Sequence, residues 1–320
     1  MILILSEYED TNTDEVCWWL NYYKVDFLRL NDGDNSYHID VYITNENKHH
    51  IIRVNNRNIP LSDFSTVWFR RGYFCTSINK TNVCCFKSKT YNDKVSDLIS
   101  TYLNREFAVF TDYLYSILKS TAKCINYPAL YNINKLIVLE YASDIGLKIP
   151  KTLVTSQKRI VDDFIKDKNL ITKNISDWYS TKIGNLGLSM FPQKLTNINN
   201  LNINTFFYSL FQEQIEPLFE IRTFVWDNKT YSASILNDDS IEENRICPCK
   251  LPLDVESKLL ELMTKIGIES GSADFIIDRN LNYWFLEINP VGQFDFVDKH
   301  CNYNISKIIA QTLIYNENHK

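Results

Sequence analysis

The chain has 320 residues, 45% hydrophobic and 23% charged, which suits a globular protein of one large or two to three smaller domains. Its net charge of -5 argues against a general nucleic-acid binder, and no stretch reaches the length of a membrane-spanning helix. The opening Met1 to Glu7 is too short for a signal peptide and lacks a basic start, so a cytoplasmic location is expected.

Those first residues read instead as a buried strand, Ile2 to Leu5, followed by a helix from Thr13 to Tyr23 and a strand from Val25 to Leu30. Thr13 suits the N-cap, with Asp14 and Glu15 in the first turn. No GxGxxG lies between strand and helix, which disfavours a dinucleotide fold. Polar, Asn-rich sequence comes next, then a strand from Thr66 to Arg70 and a long helical pattern from Asn92 to Lys119.

Tyr127-Pro128 starts a new organisation. A helix over Asn134 to Asp144 is stopped by Gly146, and Pro150 to Val154 leads into a strand. Strands are expected at Leu170 to Lys173, Trp178 to Ile183, Phe206 to Ile215, Glu220 to Trp226 and Tyr231 to Leu236. A helix from Asp254 to Ile266 ends at Gly267; two more strands and a helix near Ile305 to Tyr315 close the chain. The expected partition is an α/β domain over 1–125, a central α+β lobe over 126–190 and a C-terminal α+β lobe over 191–320.

Among the eight cysteines, Cys84-Cys85 are adjacent and Cys247-Pro248-Cys249 has one intervening residue, where zinc sites usually show two to four. No second pair completes a set, so reduced structural thiols are expected.

The last two strands carry the sharpest signal. Asp274 to Asp278 and Tyr283 to Asn289 alternate around the polar loop Arg279-Asn280-Leu281-Asn282. Pairing Asp278 with Tyr283 puts Ile276 opposite Phe285 and Asp274 opposite Glu287, with Cβ atoms about 4.5–5.5 Å apart. Asn289 shares that face, and Pro290 ends the strand. Two facing carboxylates repel unless a cation or proton intervenes, and carboxylates completed by water and phosphate oxygens are how Mg²⁺ is held. A solvent-facing hairpin would explain Asp278, but not Glu287 inside the apolar run Trp284 to Ile288.

Lys173 ends an apolar strand and Lys135 opens a helix, where each is a usable point charge for phosphate; taken singly, each reads as a surface lysine. Gly184-Asn185-Leu186-Gly187 offers a loop over phosphates, and the absence of GxxxxGK[ST] excludes a P-loop. At Phe211 to Pro217 an apolar strand runs into a polar segment whose backbone suits an adenine edge or, equally, an ordinary strand end. Glu220 and Arg222 share a strand face, as a surface ion pair or as an arginine poised on a transferring phosphoryl group.

In this order along the chain the set resembles the ATP-grasp superfamily from roughly Tyr131 to Ile314. The most specific parts are Asn134-Lys135, Gly146 to Thr152, Lys173, Gln212 to Ile215, Glu220-Ile221-Arg222 and Phe285 to Pro290. Gly271 to Phe275 and Asn289 to Phe294 look like the graspetide synthetases, the microviridin-type ligases, particularly the grasp-with-spasm maturases. Val67-Trp68-Phe69-Arg70-Arg71 resembles a segment of their N-terminal domains.

The resemblance implies an α+β ATP-grasp fold, two lobes gripping ATP, preceded by an α/β N-terminal domain. It implies Lys135 and Lys173 on the nucleotide phosphates, Glu213 and the backbone of Gln214 and Ile215 on adenine, and Glu220 on ribose. Asp274, Glu287 and Asn289 would bind Mg²⁺, Arg222 would steady the γ-phosphate and an acyl-phosphate, and Lys250 would reach the same region. The expected substrate is a ribosomal precursor peptide with a leader and an acidic core, closed into side-chain ester or amide rings. Arg70 and Arg71 would attract that core, or form a solvated basic pair. Nucleic acid and membrane are not expected as partners; a homodimer is compatible with the sequence. The alternatives are a ligase that adds amino acids to a protein tail or small molecule, and a non-catalytic nucleotide- or peptide-binding module.

Overall fold

The computed structural model describes residues 1–33, 36–74, 93–127, 133–165, 169–176, 180–183, 186–189, 192–195, 204–236 and 245–318. The chain forms two compact units, Met1–Pro128 with Asn304–Lys320, and Ala129–Tyr303. The adjacent Cys84-Cys85, Trp178 and the Gly184-Asn185 half of the expected phosphate loop lie outside the described residues.

The first unit is built on β1 (Ile2–Ser6), α1 (Thr11–Tyr22), β2 (Phe27–Asn31), β6 (Thr66–Phe69) and β7 (Lys123–Ile125). Its four strands form a parallel sheet in the order β2-β1-β6-β7. All of β1 is buried, the unbroken apolar pattern of a strand covered on both faces. Between β2 and β6, where polar sequence hid any period, lies an antiparallel meander of β3 (Tyr37–Ile43), β4 (Lys48–Val54) and β5 (Arg57–Pro60). Its exposed face carries His38, Asp40 and Arg53, which is why its strands do not read as apolar runs. Asn55 and Asn56, both at positive φ, make the two-residue turn between β4 and β5. The long helix α2 (Asp93–Thr121) and the C-terminal helix Ile305–Asn318 complete the unit.

The first helix begins two residues before the expected cap. Asp10 takes the N-cap position, and the Thr13 hydroxyl donates to its Oδ2 at 2.6 Å from inside the helix. Arg70 Nε lies 3.3 Å from the same oxygen, with both side chains almost wholly buried. Arg70 is therefore an internal counter-charge, and removing either partner of such a pair costs about 3–5 kcal/mol. Arg71, at φ 65°, lies nearer the surface and pairs with Glu7 at 2.8 Å.

The second unit opens with α3 (Lys135–Ile145), which the sequence marks at both ends. The Asn134 side chain accepts from Leu136 N and Ile137 N, and Gly146 takes the left-handed conformation that lets Leu147 N bond back to Ala142 O. Then come β8 (Thr152–Gln157), α4 (Lys158–Ile165), β9 (Leu170–Lys173), the hairpin of β10 (Ser180–Ile183) and β11 (Leu186–Ser189), β12 (Gln193–Leu195) and β13 (Thr205–Glu213). An antiparallel sheet in the order β12-β9-β13-β8 gathers four of them.

The remaining strands make a five-stranded antiparallel sheet in the order β16-β15-β14-β17-β18. They are β14 (Phe219–Trp226), β15 (Lys229–Leu236), β16 (Arg245–Cys249), β17 (Ser270–Ile277) and β18 (Tyr283–Asn289), with α5 (Leu253–Ile266) and α6 (Asp295–Cys301) between and after them. No pattern in the sequence marks β16, whose Pro248 fits only an edge strand, and an edge is where it lies. One face of the sheet, with Ile221, Val225, Phe275 and Phe285, packs on Leu259 and Leu262 of α5 and Val138 of α3. The alternating residues, Glu220, Arg222 and Asp274 among them, are left on the other face.

Candidate active site

The hairpin β17–β18 pairs Ile277, not Asp278, with Tyr283, one residue away from the expected register. Continued straight, that pairing would set Leu286 opposite Asp274 and turn Glu287 into the apolar core. The ladder instead slips between Phe275↔Phe285 and Asp274↔Glu287, so that Leu286 is a bulge residue. A bulge lets two successive residues oppose one and re-aims the side chains beyond it. It restores the cross-strand pair of carboxylates and places Leu286 and Glu287 on the wall of one cavity, with Lys135 and Lys173.

Asp278 is the organiser of the turn. Its carboxylate accepts from Asn280 N and Asn282 N at 2.9 Å each, from Asn282 Nδ2 at 2.8 Å and from Trp284 Nε1 at 2.9 Å. These bonds, the Asn282 side chain first, hold its pKa at about 2 against an ordinary 3.8. A folded pKa below the unfolded one means stability present above pH 3.8 and lost as pH falls towards 2. Asp278→Asn is therefore expected to flatten the acid dependence of thermal unfolding between those values; an unchanged profile would remove Asp278 from this role.

Four strands contribute to one row across the polar face: Ala233, Arg222, Asp274 and Glu287, with Pro248 of β16 beyond Ala233. Arg222 Nε donates to Asp274 Oδ1 at 3.0 Å, and its guanidinium lies 5.7 Å from the centre of the Phe296 ring in α6. Sequence spacing sets Arg222 beside Glu220; the structure gives its charge to the neighbouring strand. Lys135 Nζ, from the start of α3, and Lys173 Nζ, from the end of β9, lie 3.6 Å and 3.7 Å from Glu287 Oε2. Burial lowers the pKa of Lys173, with Glu287 opposing and Lys135 adding to the shift. Burial likewise raises that of Asp274, against the pull of Arg222.

Asn289 ends β18 opposite Ser272, and its Oδ1 accepts from Val291 N at 3.1 Å. An amide oxygen has a second lone pair, so this bond leaves it able to ligate. Asp274, Glu287 and Asn289 present oxygen alone, the donor set of a hard divalent cation, and thus fit magnesium. The chain then folds tightly back: Gly292 N donates to Asn289 O at 3.0 Å and Ser272 Oγ to Gln293 O at 3.2 Å. A Cβ on Gly292 would meet Ser272 at 2.4 Å, which explains the glycine.

Between the two sheets of this unit, the segment after β13 is partly committed. Glu213 N donates to Lys151 O and Gln214 N to Asn169 O, at 2.9 Å each, and the Gln214 amide nitrogen donates to Glu216 at 2.8 Å. Ile215 N is the next donor along, and no bond among the described residues uses it. Glu220 lies two residues before Arg222 on the same face. Lys250 is exposed and comes just after the edge strand, two residues beyond Pro248 in the row. Sequence reasoning did not single out Leu286 or Phe296: one depends on a bulge and the other on how α6 returns over the sheet.

No protein-family model matches the chain, and no curated protein matches it. Solved structures do. Macrocyclase MdnC from Microcystis aeruginosa MRC, bound with precursor peptide MdnA, superposes with a TM-score of 0.79 at 21% identity, covering 98% of this chain and 100% of that one. A RiPP-associated ATP-grasp ligase from Chryseobacterium gregarium, in complex with ADP and a leader and core peptide, gives 0.77 at 23% identity, covering 98% and 96%. ATP-grasp ligase PsnB, complexed with minimal precursor, Mg and ADP, gives 0.73 at 18%, covering 99% and 97%. The chain has the fold of these proteins along nearly its whole length.

Proposed function

We propose that this chain, with the fold of ATP-grasp ligases, is an ADP-forming ligase that closes side-chain ester or amide rings in a ribosomal precursor peptide. The observation that carries the reading is the convergence of Lys135 and Lys173 on Glu287, beside the Arg222–Asp274 pair of the same cross-strand row. Like-folded proteins are complexed with ADP, magnesium and precursor peptides, which supports a nucleotide and a peptide here.

A carboxylate is a poor electrophile at neutral pH. Transfer of the γ-phosphoryl group of ATP to an Asp or Glu side chain makes an acyl-phosphate and leaves ADP. A Ser or Thr hydroxyl, or a Lys amine, of the same peptide then attacks the acyl carbon and expels phosphate. Lys135 and Lys173 hold phosphate oxygens as point charges, and Arg222 offers several N–H donors to the charge spread over the transferring group. Asp274, Glu287 and Asn289 would hold Mg²⁺, which when bound neutralises the phosphates and orients them for in-line transfer. Ile215 N donates to the adenine edge, with Glu213 and the Gln214 carbonyl beside it and Leu286 on the cavity wall, and Glu220 takes the ribose. Lys250 serves the reaction region from the far edge of the row. Of the two N-terminal arginines, Arg70 is enclosed with Asp10, which leaves Arg71, partly exposed and paired with Glu7, as the one proposed for contact with an acidic segment of the peptide.

The test is direct. Purified protein with ATP, Mg²⁺ and a precursor peptide carrying Ser, Thr or Lys near Asp or Glu is expected to release one ADP and remove one water per ring, read by mass spectrometry. A mass gain would identify an amino-acid-adding ligase, and no change with ADP still bound would favour a binding module.

A further inference from the structure

We propose that β3 is a docking edge for a second copy of this chain, the two β3 strands pairing antiparallel about a two-fold axis at Val41. β3 stands at the end of the meander sheet and pairs on one side only, with β4. Thr44 N donates to Asn47 O at 2.8 Å and closes the hairpin. Bonded residues alternate along an antiparallel ladder, so Tyr42, Asp40 and His38 bond to β4. Ile43, Val41 and Ile39 turn their N–H and C=O groups to the open edge, and among the described residues no backbone bond takes them up there. The side chains of these three share one face with the buried Tyr37, and Ile43 at the far end of that face is 56% exposed.

Other edges of the chain carry devices that block strand pairing. β5 has four residues and ends in Pro60, β16 contains Pro248, and β18 is met by Lys148 at Trp284. β3 has seven residues, with no proline, no lysine and no bulge. What fits a row of alternating donors and acceptors is another strand, and β3 fits itself. An axis at Val41 sets Val41 against its own copy and Ile39 against Ile43 of the second copy. All three open residues then exchange backbone bonds, and the exposed Ile43 is covered. Asp40, which is paired with Arg53 in its own chain, lies across from Tyr42 of the second copy. Charge and length disfavour the other registers. An axis at Asp40 would set two carboxylates face to face, about 4.5–5.5 Å apart at Cβ. An axis at Ile39 or Tyr42 would run Ile43 or Ile39 past the end of the facing strand. Three residue pairs exchanging two bonds each match about 600–1,200 Å² of interface, at the low end of specific contacts, so the dimer dissociates on dilution. The contact is isologous and closed, which leaves no open strand to propagate.

Sedimentation velocity of the full chain across the micromolar range is expected to show a concentration-dependent dimer. Val41→Pro removes an outward donor and leaves the ladder to β4 intact, because proline is tolerated on the open side of an edge strand. It is expected to weaken the dimer on the order of 100-fold, since the donor is lost from both copies. Ile43→Lys, at an exposed position, is expected to weaken it as well, and it carries the test should Val41→Pro melt at a much lower temperature. Amide hydrogen exchange at Ile39, Val41 and Ile43 should slow as concentration rises, while Asp40 and Tyr42, already bonded to β4, should not change. A chain that stays monomeric throughout, or a dimer that neither variant weakens, overturns the proposal. Exchange that slows at these amides only when an acidic peptide is added to the monomeric chain would assign the edge to a peptide strand and overturn it likewise.

Discussion

Glu287→Gln is expected to lower the ATP-dependent removal of water from the precursor peptide by on the order of 10³-fold while leaving the fold intact. The carboxylate stands in the row with Asp274 and Arg222 and is shared by Lys135 and Lys173. Gln keeps its length and one acceptor oxygen but removes the charge that a divalent ion needs. With the Lys135 and Lys173 side chains only 22% and 15% exposed, loss of their shared carboxylate charge is expected to cost about 1–3 kcal/mol, a lowered melting temperature with the fold retained. Single-turnover ADP release and peptide mass, measured on the same sample, separate loss of phosphoryl transfer from loss of ring closure. Full turnover by Glu287→Gln would refute the assignment of this hairpin as the metal end of the site.

The largest effect on stability is expected from Gly72→Ala in the first unit, a loss of more than about 4 kcal/mol. Arg70 N and Gly72 N both donate to Leu5 O, at 2.7 Å and 3.3 Å, which draws the end of β6 against β1. A Cβ on Gly72 would lie 2.2 Å from the N and O atoms of Ser6. The backbone of Ser6, the buried last residue of the inner strand β1, cannot give way as the end of a flexible side chain can. Gly33→Ala is the contrasting variant: its φ is +77° but nothing lies within 4 Å of the added carbon, so a cost of only about 1 kcal/mol is expected. Urea unfolding of the two proteins measures the difference, and equal midpoints would contradict the steric account.

Local signals could be read from the sequence where the physics is local. Asn134 and Gly146 bound α3 as a cap and a left-handed stop should, because both act within one turn of the helix. Thr13 did not behave as its type suggests. Asp10 stands at the cap position without a side-chain bond to the helix backbone, its carboxylate engaged by Thr13 and by Arg70, which follows β6 some sixty residues away. Pro248 and the polar face of β3 and β4 hid strands that only pairing partners make stable.

The hairpin shows the division most clearly. Residue type and spacing pointed to Asp274, Glu287 and Asn289 as a set of oxygen ligands suited to magnesium on one two-stranded ribbon, through a register that the folded hairpin does not keep. The order of Lys135, Lys173, Glu213 and Arg222 around them carried the resemblance to ATP-grasp ligases. Tertiary structure decided the rest. Asp278 left the ladder because four donors gather on it in the turn, and the bulge at Leu286 recovered the Asp274–Glu287 pair that the shifted register would have broken. It also decided that Arg222 belongs to Asp274, that Arg70 is enclosed with Asp10, and that two lysines from separate elements meet at one carboxylate oxygen. Alternation and capping are set by neighbours a few bonds away, whereas register, burial and charge pairing depend on which distant segments the folded chain brings together.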